Sequence, residues 1–230
     1  MDKLKMATQR RTAEQADSIM VIGLGRFGQA VARSLVRLGH EVLAVDSHAS
    51  VVEPLADELP NLVQADCTDP DTLRQLDAHN FAHVVVAIGQ DLEASVLTVL
   101  NLSQMGIADI WVKAANVQHA RIVERLGAHH VIMPEADMGE RVAHLVTGKM
   151  IDFIEFDDGF AIAKTRAPSE MHGKPLSESR IRQSQHITVV GIKRLNQDFI
   201  YALPETVIEP DDLLVVAGAT AHVERFAAGT

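Results

Sequence analysis

Three glycines with a fixed spacing, Gly23, Gly25 and Gly28, form a Gly-x-Gly-x-x-Gly motif directly after the apolar run 19–22. After a strand, such glycines permit a tight turn, close approach of the backbone to a phosphate, and close packing of the next helix. The phosphate binds where free N–H groups and the helix dipole point. The motif predicts a nucleotide or dinucleotide site, with Phe27 in the same loop.

An arginine stands inside this loop. The guanidinium of Arg26 could pair bidentately with a terminal phosphate. ATP offers a third phosphate, which ADP and NAD lack. The alternative interpretation is a solvated surface arginine.

Asp46 ends a second predicted strand, at a distance from Gly28 that suits a ribose-binding carboxylate. Such a carboxylate accepts hydrogen bonds from both ribose hydroxyls and disfavours a 2′-phosphate. The alternative is an aspartate that ends a strand or caps a helix. Ser47 and His48 follow it and are included in the predicted site.

Alternation of strand-like and helix-like segments indicates the elements that position these residues. A strand followed by a helix, repeated along residues 18–133, predicts a doubly wound parallel sheet with right-handed crossovers. The nucleotide should lie at the carboxyl ends, where strands one and four diverge. The predicted strands are 18–22, 41–46, 62–65, 83–88, 110–113 and 130–133. The helices between them are predicted at 27–38, 50–59, 70–76, 91–105 and 116–126.

Two of these helices show apolar residues at helical spacing, which predicts their buried faces. The first face consists of Phe27, Ala30, Val31, Leu35 and Leu38. The face of the fourth helix consists of Leu92, Val96, Val99 and Leu100.

Residues after three further strands complete the predicted site, because the carboxyl ends of parallel strands share one edge. They are Asp66, Cys67 and Thr68 beside the adenine, Ala87, Ile88 and Gly89 beneath the phosphates and ribose, and Lys113 at the end of strand five. Lys113 could reach a phosphate or be an ordinary strand-end lysine. Cys67 is predicted to be a packed small residue rather than a redox switch.

Composition excludes several classes of protein. The 230 residues carry a net charge of −10, which argues against a nucleic-acid partner. A single cysteine excludes an internal disulfide framework and suits a reducing cytoplasm. No apolar run is long enough to span a bilayer.

The pattern changes after Pro134. Asp137 and Glu140 resemble a capping box, and an apolar stripe of Met138, Val142, Leu145 and Val146 follows them. The segments then become strand-like, which predicts a small α+β domain that needs a partner copy to complete its core. The predicted divisions are a disordered leader 1–17, a nucleotide-binding domain 18–136, a crossover helix 137–150 and a C-terminal domain 151–230.

From about residue 18 onward the chain resembles cytosolic regulators of potassium uptake of the KtrA/TrkA type. The likeness rests on the segments 21–28, 39–46, 85–89, 110–114 and 133–139. It implies two domains that regulate potassium conductance (RCK domains), joined by a crossover helix, in a homo-octameric ring beneath a membrane potassium channel subunit. ATP and ADP would change the shape of the ring, and NAD or NADH can compete for the pocket in related proteins.

The same resemblance implies two further ligands. Glu135 would bind Mg²⁺ or Ca²⁺ near the phosphates, where a divalent cation relieves repulsion; a solvent-facing carboxylate is the alternative. Cyclic di-AMP binds the C-terminal domain in some relatives. Arg182, His186 and an edge strand up to Lys193 are the candidate residues here, and a simple dimerisation module is the alternative.

Three functions compete. The preferred one is a non-catalytic nucleotide sensor that regulates a potassium transporter. An NAD-dependent oxidoreductase is the second, although no substrate domain or catalytic base stands out. An interaction module without a ligand is the third.

Overall fold

The computed structural model of the protein describes residues 18–146, 150–156 and 159–229. The predicted leader 1–17 and the end of the predicted crossover segment, 147–149, lie outside the described residues. The chain divides into two compact units, Met1–Glu135 and Ala136–Thr230.

The first unit alternates strands and helices. Its strands are β1 (Ser18–Ile22), β2 (Glu41–Asp46), β3 (Asn61–Gln64), β4 (His83–Val86), β5 (Ile110–Lys113) and β6 (His130–Ile132). The helices between them are α1 (Arg26–Arg37), α2 (Ala49–Val52), α3 (Pro70–Gln75), α4 (Leu92–Gln104) and α5 (Val117–Leu126), with short 3₁₀ turns at Glu53–Leu55 and Ala78–Asn80.

The six strands pair in the order β3-β2-β1-β4-β5-β6, and every pairing is parallel. This order confirms the predicted doubly wound sheet. The chain starts in the middle, builds outward to β3, and then crosses to β4 on the other side of β1. Loops after β1 and β4 therefore leave the sheet in opposite directions, which opens a crevice at that point.

Several predicted helix details are wrong. The helix predicted at 50–59 ends at Val52, because Pro54 supplies no N–H group to continue it. Leu38 and Leu92 are 72% and 44% exposed rather than buried, since both stand at helix ends. Ala30 is exposed as well.

The buried face of α4 is rotated from the predicted one. It consists of Ser95, Thr98, Val99 and Leu102, which keep the spacing of one helix face. Two residues with hydroxyl groups therefore occupy buried positions at which the helical spacing of apolar residues predicts leucine or valine.

Helix α6 (Pro134–Val146) begins three residues earlier than predicted. The reason is Pro134 itself: its fixed φ suits the first helical position, where an N–H group would lack a partner anyway. The apolar stripe of this helix is largely exposed, with Met138 at 52% and Val146 at 79%.

The second unit is built on an antiparallel sheet. Its elements after α6 are β7 (Asp152–Phe156), β8 (Phe160–Arg166), α7 (Leu176–Ser179), α8 (Ile181–Ser184), β9 (Ile187–Lys193), β10 (Phe199–Tyr201), β11 (Leu213–Ala219) and α9 (Thr220–Ala228). The strands pair in the order β10-β9-β11-β8-β7. Strand β9 lies between two neighbours, so the prediction of an edge strand ending at Lys193 is wrong.

Candidate nucleotide site

A cleft of about 260 Å³ lies at the carboxyl ends of the central strands of the first unit. It opens between the neighbouring strands β1 and β4, where the loops after the two strands leave the sheet in opposite directions. Eleven of the predicted site residues border it: Gly23, Gly25, Asp46, Ser47, His48, Asp66, Cys67, Thr68, Ala87, Ile88 and Gly89. The sheet therefore brings together residues that the sequence separates by up to 66 positions, from Gly23 to Gly89.

The glycine loop has two positions at which a side chain is excluded. Gly23 has a φ of +90°, and a Cβ atom there would lie 3.0 Å from the backbone of Ala87 and Ile88. A Cβ atom on Gly28 would lie 1.8 Å from the carbonyl oxygen of Gly23. These two glycines let the turn fold tightly against the end of β4 and the start of α1.

Gly25 differs from both. Its φ of −63° and ψ of −178° are accessible to any residue, and a Cβ atom there would have no neighbour within 4 Å. Because Gly25 borders the cleft, that open space is the space a ligand would use. No conformational requirement of the described chain explains a glycine here.

The start of α1 lacks the capping that neighbouring helices have. Side chains of Asp69, Asp91 and Asn116 accept hydrogen bonds from backbone N–H groups at the starts of α3, α4 and α5. Gly25 has no side chain to do this at α1, and no side-chain cap is present there. The exposed N–H groups of the first turn and the helix dipole therefore suit an anion such as a phosphate.

Asp46 is held in place by the glycine loop. Its Oδ2 accepts a hydrogen bond of 2.7 Å from the backbone N–H of Leu24, and its Oδ1 accepts one of 2.9 Å from the N–H of His48. The carboxylate is thus fixed at the cleft, with lone pairs left for ribose hydroxyls. The exposed His48 ring lies 3.2 Å from Oδ1 and 3.0 Å from the hydroxyl of Ser47.

The predicted adenine side is a tight turn. The Oδ1 atom of Asp66 accepts hydrogen bonds from the N–H and the hydroxyl of Thr68, at 2.9 and 2.8 Å. Asn101 of α4 donates to the carbonyl oxygen of Thr68 at 2.8 Å. Cys67 between them is buried, and burial together with the charges of Asp66 and Asp46 raises the pKa of its thiol to about 12.

A thiol with this pKa should be almost inert. In the native protein, alkylation of Cys67 by iodoacetamide at pH 8 should be at least about 100-fold slower than in the urea-unfolded chain, because the thiolate is the reacting form. Mass spectrometry of timed samples measures both rates; similar rates would contradict the burial argument. The unfolded thiol also ionises first, from near its ordinary pKa of 9.0, so stability should fall as pH rises from there towards 12.

Three of the other predicted site residues, Arg26, Lys113 and Glu135, form a charged cluster beside the cleft, with Phe27 next to it. The ammonium group of Lys113 lies 2.5 Å from Oε1 of Glu135 and 5.6 Å from the ring centre of Phe27. A Cβ atom on Gly89 would lie 3.1 Å from the same ammonium group, so the cluster adjoins the cleft at that glycine. This hydrogen bond from Lys113, and then the charges of Lys113 and Arg26, hold the pKa of Glu135 below its usual range.

Arg26 stands at the first position of α1 with its side chain exposed. It makes no hydrogen bond or ion pair with any residue that the structure describes. Arg26 and Lys113 therefore place two cations beside one carboxylate, close to the uncapped helix end. A ligand phosphate would meet a net positive charge here.

Some residues of the cleft were missed. Gln90, Asp91, Ala94 and Thr98 also border it. Thr98 is fully buried, and its hydroxyl has no hydrogen-bond partner among the described residues. A signal was present in the sequence: Ser95 and Thr98 stand three residues apart, on the same helix face as the apolar Val99 and Leu102, where buried hydroxyls need a reason.

The described residues do not provide a complete site for a metal ion. No group of three or more histidine, cysteine, aspartate or glutamate side chains within 18–146, 150–156 and 159–229 could hold one. Glu135 is 70% exposed and paired with Lys113, so it offers one carboxylate at most. That donor set fits a divalent cation only if bound phosphates supply further oxygens, as they commonly do for Mg²⁺.

The second unit has a cavity of about 320 Å³ between α7, α8, β9 and the loop after β10. Arg180 and Arg182 border it, together with apolar residues such as Ile187 and Pro204. Of the residues predicted for a dinucleotide, Arg182 is therefore at this cavity. His186 contacts the ring of His222 instead, at 5.2 Å.

None of the helices within the described residues is both long and apolar enough to cross a membrane.

Both units of the chain match known protein families. The TrkA-N domain family matches residues 19–134, and the TrkA-C domain family matches residues 161–228. The chain is 37% identical to Ktr system potassium uptake protein C and 36% identical to protein A of Bacillus subtilis strain 168. Each alignment covers 90% of this chain, and they cover 94% and 93% of those proteins.

Solved structures support the fold. The GsuK RCK domain structure has a TM-score of 0.53 and 22% identity, and the match covers 93% of this chain and 46% of that one. Other GsuK structures with TM-scores of 0.52 were determined with NAD and with ADP. With its TrkA-N and TrkA-C domains and its identity to the Ktr proteins over nearly their whole length, the chain belongs to the KtrA/TrkA family of potassium uptake proteins.

Proposed function

We propose that this protein is a regulatory subunit that binds an adenine nucleotide and controls a membrane potassium transporter. One observation supports this most directly: the uncapped start of α1 and the fixed carboxylate of Asp46 border the same cleft. The first suits phosphates and the second suits a ribose. The names of the Ktr relatives supply the link to potassium uptake.

ATP or ADP is the proposed ligand, with NAD or NADH as the alternative. Relatives of this fold have been solved with ADP and with NAD, so the fold accommodates both. The cluster of Arg26, Lys113 and Glu135 favours a ligand whose last phosphate is free, as in ATP and ADP, over NAD, in which both phosphates are esterified. Mg²⁺ or Ca²⁺ would join Glu135 to phosphate oxygens and neutralise them once a nucleotide is bound.

Regulation requires a ligand that binds two conformations with different affinities. Helix α6 is the proposed mechanical element, because it contains Glu135 in its first turn and continues into the second unit. Its exposed apolar residues would contact neighbouring copies in a dimer and an octameric ring at the cytoplasmic face of the membrane. No catalytic step is proposed.

Cyclic di-AMP is a second proposed ligand, at the cavity bordered by Arg180 and Arg182. Two guanidinium groups beside apolar walls suit a ligand with two phosphates and two bases. Binding to this cavity would act in addition to the nucleotide in the first unit.

Identification of the co-purifying nucleotide by mass spectrometry, followed by calorimetric titration with and without Mg²⁺, tests the proposal. ATP or ADP should bind, and Mg²⁺ should change the affinity for ATP more than that for ADP. Mass photometry should detect the mass of an octamer. Solution scattering should show different ring dimensions with ATP and ADP. Absence of nucleotide binding, or turnover of NAD with 2-hydroxy acids (or of NADH with 2-oxo acids), would contradict it.

A further inference from the structure

A cavity of about 420 Å³ lies at one end of the outer face of the antiparallel sheet in the second unit. The residues that border it are Ile151, Lys164, Arg166, Lys193, Arg194, Leu195, Asn196, Asp211 and Leu213. Four of these nine are cationic and one is acidic, although the chain as a whole has a net charge of −10. This volume is in the range of small-molecule sites.

The sheet register sets the positions of three of these cations. Arg166 of β8 and Lys193 of β9 both lie opposite Leu213 of β11, so all three residues point to the same face. Lys164 stands two residues from Arg166 and shares that face. Strand spacing puts the Cα atoms of Arg166 and Lys193 about 10 Å apart, and those of Arg166 and Lys164 about 7 Å apart.

Not every cation here is free to bind a ligand. Arg194 pairs with buried Asp212 at 3.0 Å and with Glu209 at 3.1 Å, and it also donates to the carbonyl oxygen of Val207 at 2.7 Å. Lys193 donates to the carbonyl oxygen of Gln197. Arg194 therefore serves the fold of the second unit, and its charge is balanced.

Lys164 and Arg166 have no such partners. Among residues 18–146, 150–156 and 159–229, neither side chain forms an ion pair or a hydrogen bond. Asp152 lies opposite Lys164 on β7, but its carboxylate pairs with Arg141 of α6. Like charges left close together raise the free energy of the folded protein unless an anion binds between them.

Apolar side chains complete the cavity. Leu213 of β11 lies between Arg166 of β8 and Lys193 of β9. Ile151 and Leu195 border the cavity, with 41% and 81% of their surfaces exposed. An isolated inorganic anion would leave these side chains in water. A ligand with both a phosphate and an apolar part would cover them.

We propose that this cavity binds a phosphate-bearing amphiphile, with Lys164 and Arg166 on the phosphate oxygens and Leu213 and Leu195 against the apolar part. The site is separate from the nucleotide cleft and does not depend on the proposed function. Its ligand is either a phospholipid headgroup or a soluble phosphorylated compound, since both carry this chemistry.

Two probes distinguish these sources in the full-length protein. Inorganic pyrophosphate is titrated by calorimetry, and vesicles of 70% phosphatidylcholine and 30% phosphatidylglycerol are used in co-sedimentation. The variants are Lys164→Gln with Arg166→Gln, together, and Arg225→Gln, which removes an exposed cation of α9 outside the cavity. The phosphate loop of the first unit is unchanged in all three proteins, so differences in binding report on the cavity.

The double variant should weaken binding of one probe at least about tenfold, and Arg225→Gln should change it less than about twofold. Loss of pyrophosphate binding with unchanged vesicle binding identifies a soluble ligand, and loss of vesicle binding, with or without that of pyrophosphate, identifies a lipid. Without either probe, the melting temperature of the double variant should equal or exceed that of the wild type, because repulsion is removed. Unchanged binding of both probes, or an equal loss in Arg225→Gln, would overturn the proposal.

Discussion

Replacement of Gly28 by alanine is expected to lower nucleotide affinity by at least about 100-fold and to destabilise the first unit by about 1–3 kcal/mol. The added Cβ atom would lie 1.8 Å from the carbonyl oxygen of Gly23, a separation that no side-chain rotation can relieve because the backbone fixes the positions of both atoms. The loop must therefore move away from α1. Its N–H groups and the Asp46 carboxylate, which is bonded to Leu24 in that loop, then lose their common geometry.

Gly25→Ala provides the counterpart. The backbone at Gly25 suits alanine and the new methyl group meets no protein atom, so the free energy of unfolding should stay within about 1 kcal/mol of the wild type. The methyl group would occupy ligand space, so nucleotide affinity should still fall by about tenfold or more. Thermal unfolding without ligand and calorimetric titration with ATP and ADP measure the two effects separately.

Gly139→Ala is the control, because Gly139 lies within α6 and a Cβ atom there has no neighbour within 4 Å. It should raise the stability of that helix by about 0.5–1 kcal/mol and leave nucleotide affinity unchanged. If Gly25→Ala binds ATP as well as the wild type does, the phosphates do not lie over this loop. A Gly28→Ala protein that is as stable as the wild type would show that the loop adapts without loss.

The sequence alone was sufficient to predict the alternating strands and helices of the first unit and the glycine loop that follows β1. Parallel strands that are buried on both faces have continuous apolar sequences, so they can be recognised. The strand order then shows which residues lie at the carboxyl edge of the sheet. Residues from Asp46 to Gly89 could therefore be assigned to one cleft before their contacts were known. The start of α6 was less predictable, because Pro134 competed with the capping-box pattern at Asp137.

The sequence could not predict which side chains form contacts with one another. Lys113 and Glu135 are 22 residues apart, and their contact depends on where β5 and the start of α6 end in space. The position of the Thr98 hydroxyl depends on the rotation of α4, and the proximity of Arg166 of β8 to Lys193 of β9 depends on strand register. A rotation of α4 by part of a turn was enough to replace the predicted buried face.

Arg26→Ala is expected to weaken ATP binding by about tenfold and ADP binding by less than about threefold. Arg26 is exposed and lacks a described partner, so its guanidinium is available to the third phosphate, which ATP has and ADP lacks. Arg33→Ala is the matched control: Arg33 lies on the same helix but pairs with Glu58 at 2.5 Å, and Glu58 does not border the cleft. Calorimetric titration of both nucleotides in excess Mg²⁺ measures the ratio. Equal losses for ATP and ADP would show that Arg26 does not sense the third phosphate.

Glu135→Gln tests the other half of the charged cluster. Removal of the carboxylate releases Lys113, so ATP should bind more tightly than in the wild type when Mg²⁺ is absent. With Mg²⁺ present, the variant should lose most of the metal-dependent gain, because the protein oxygen for the cation is gone. The pKa of Glu135 lies below its usual range, so the carboxylate is ionised throughout neutral pH, and the difference between variant and wild type should be constant from about pH 6 to about pH 8. A variant whose ATP affinity still rises with Mg²⁺ as in the wild type would place the cation away from Glu135.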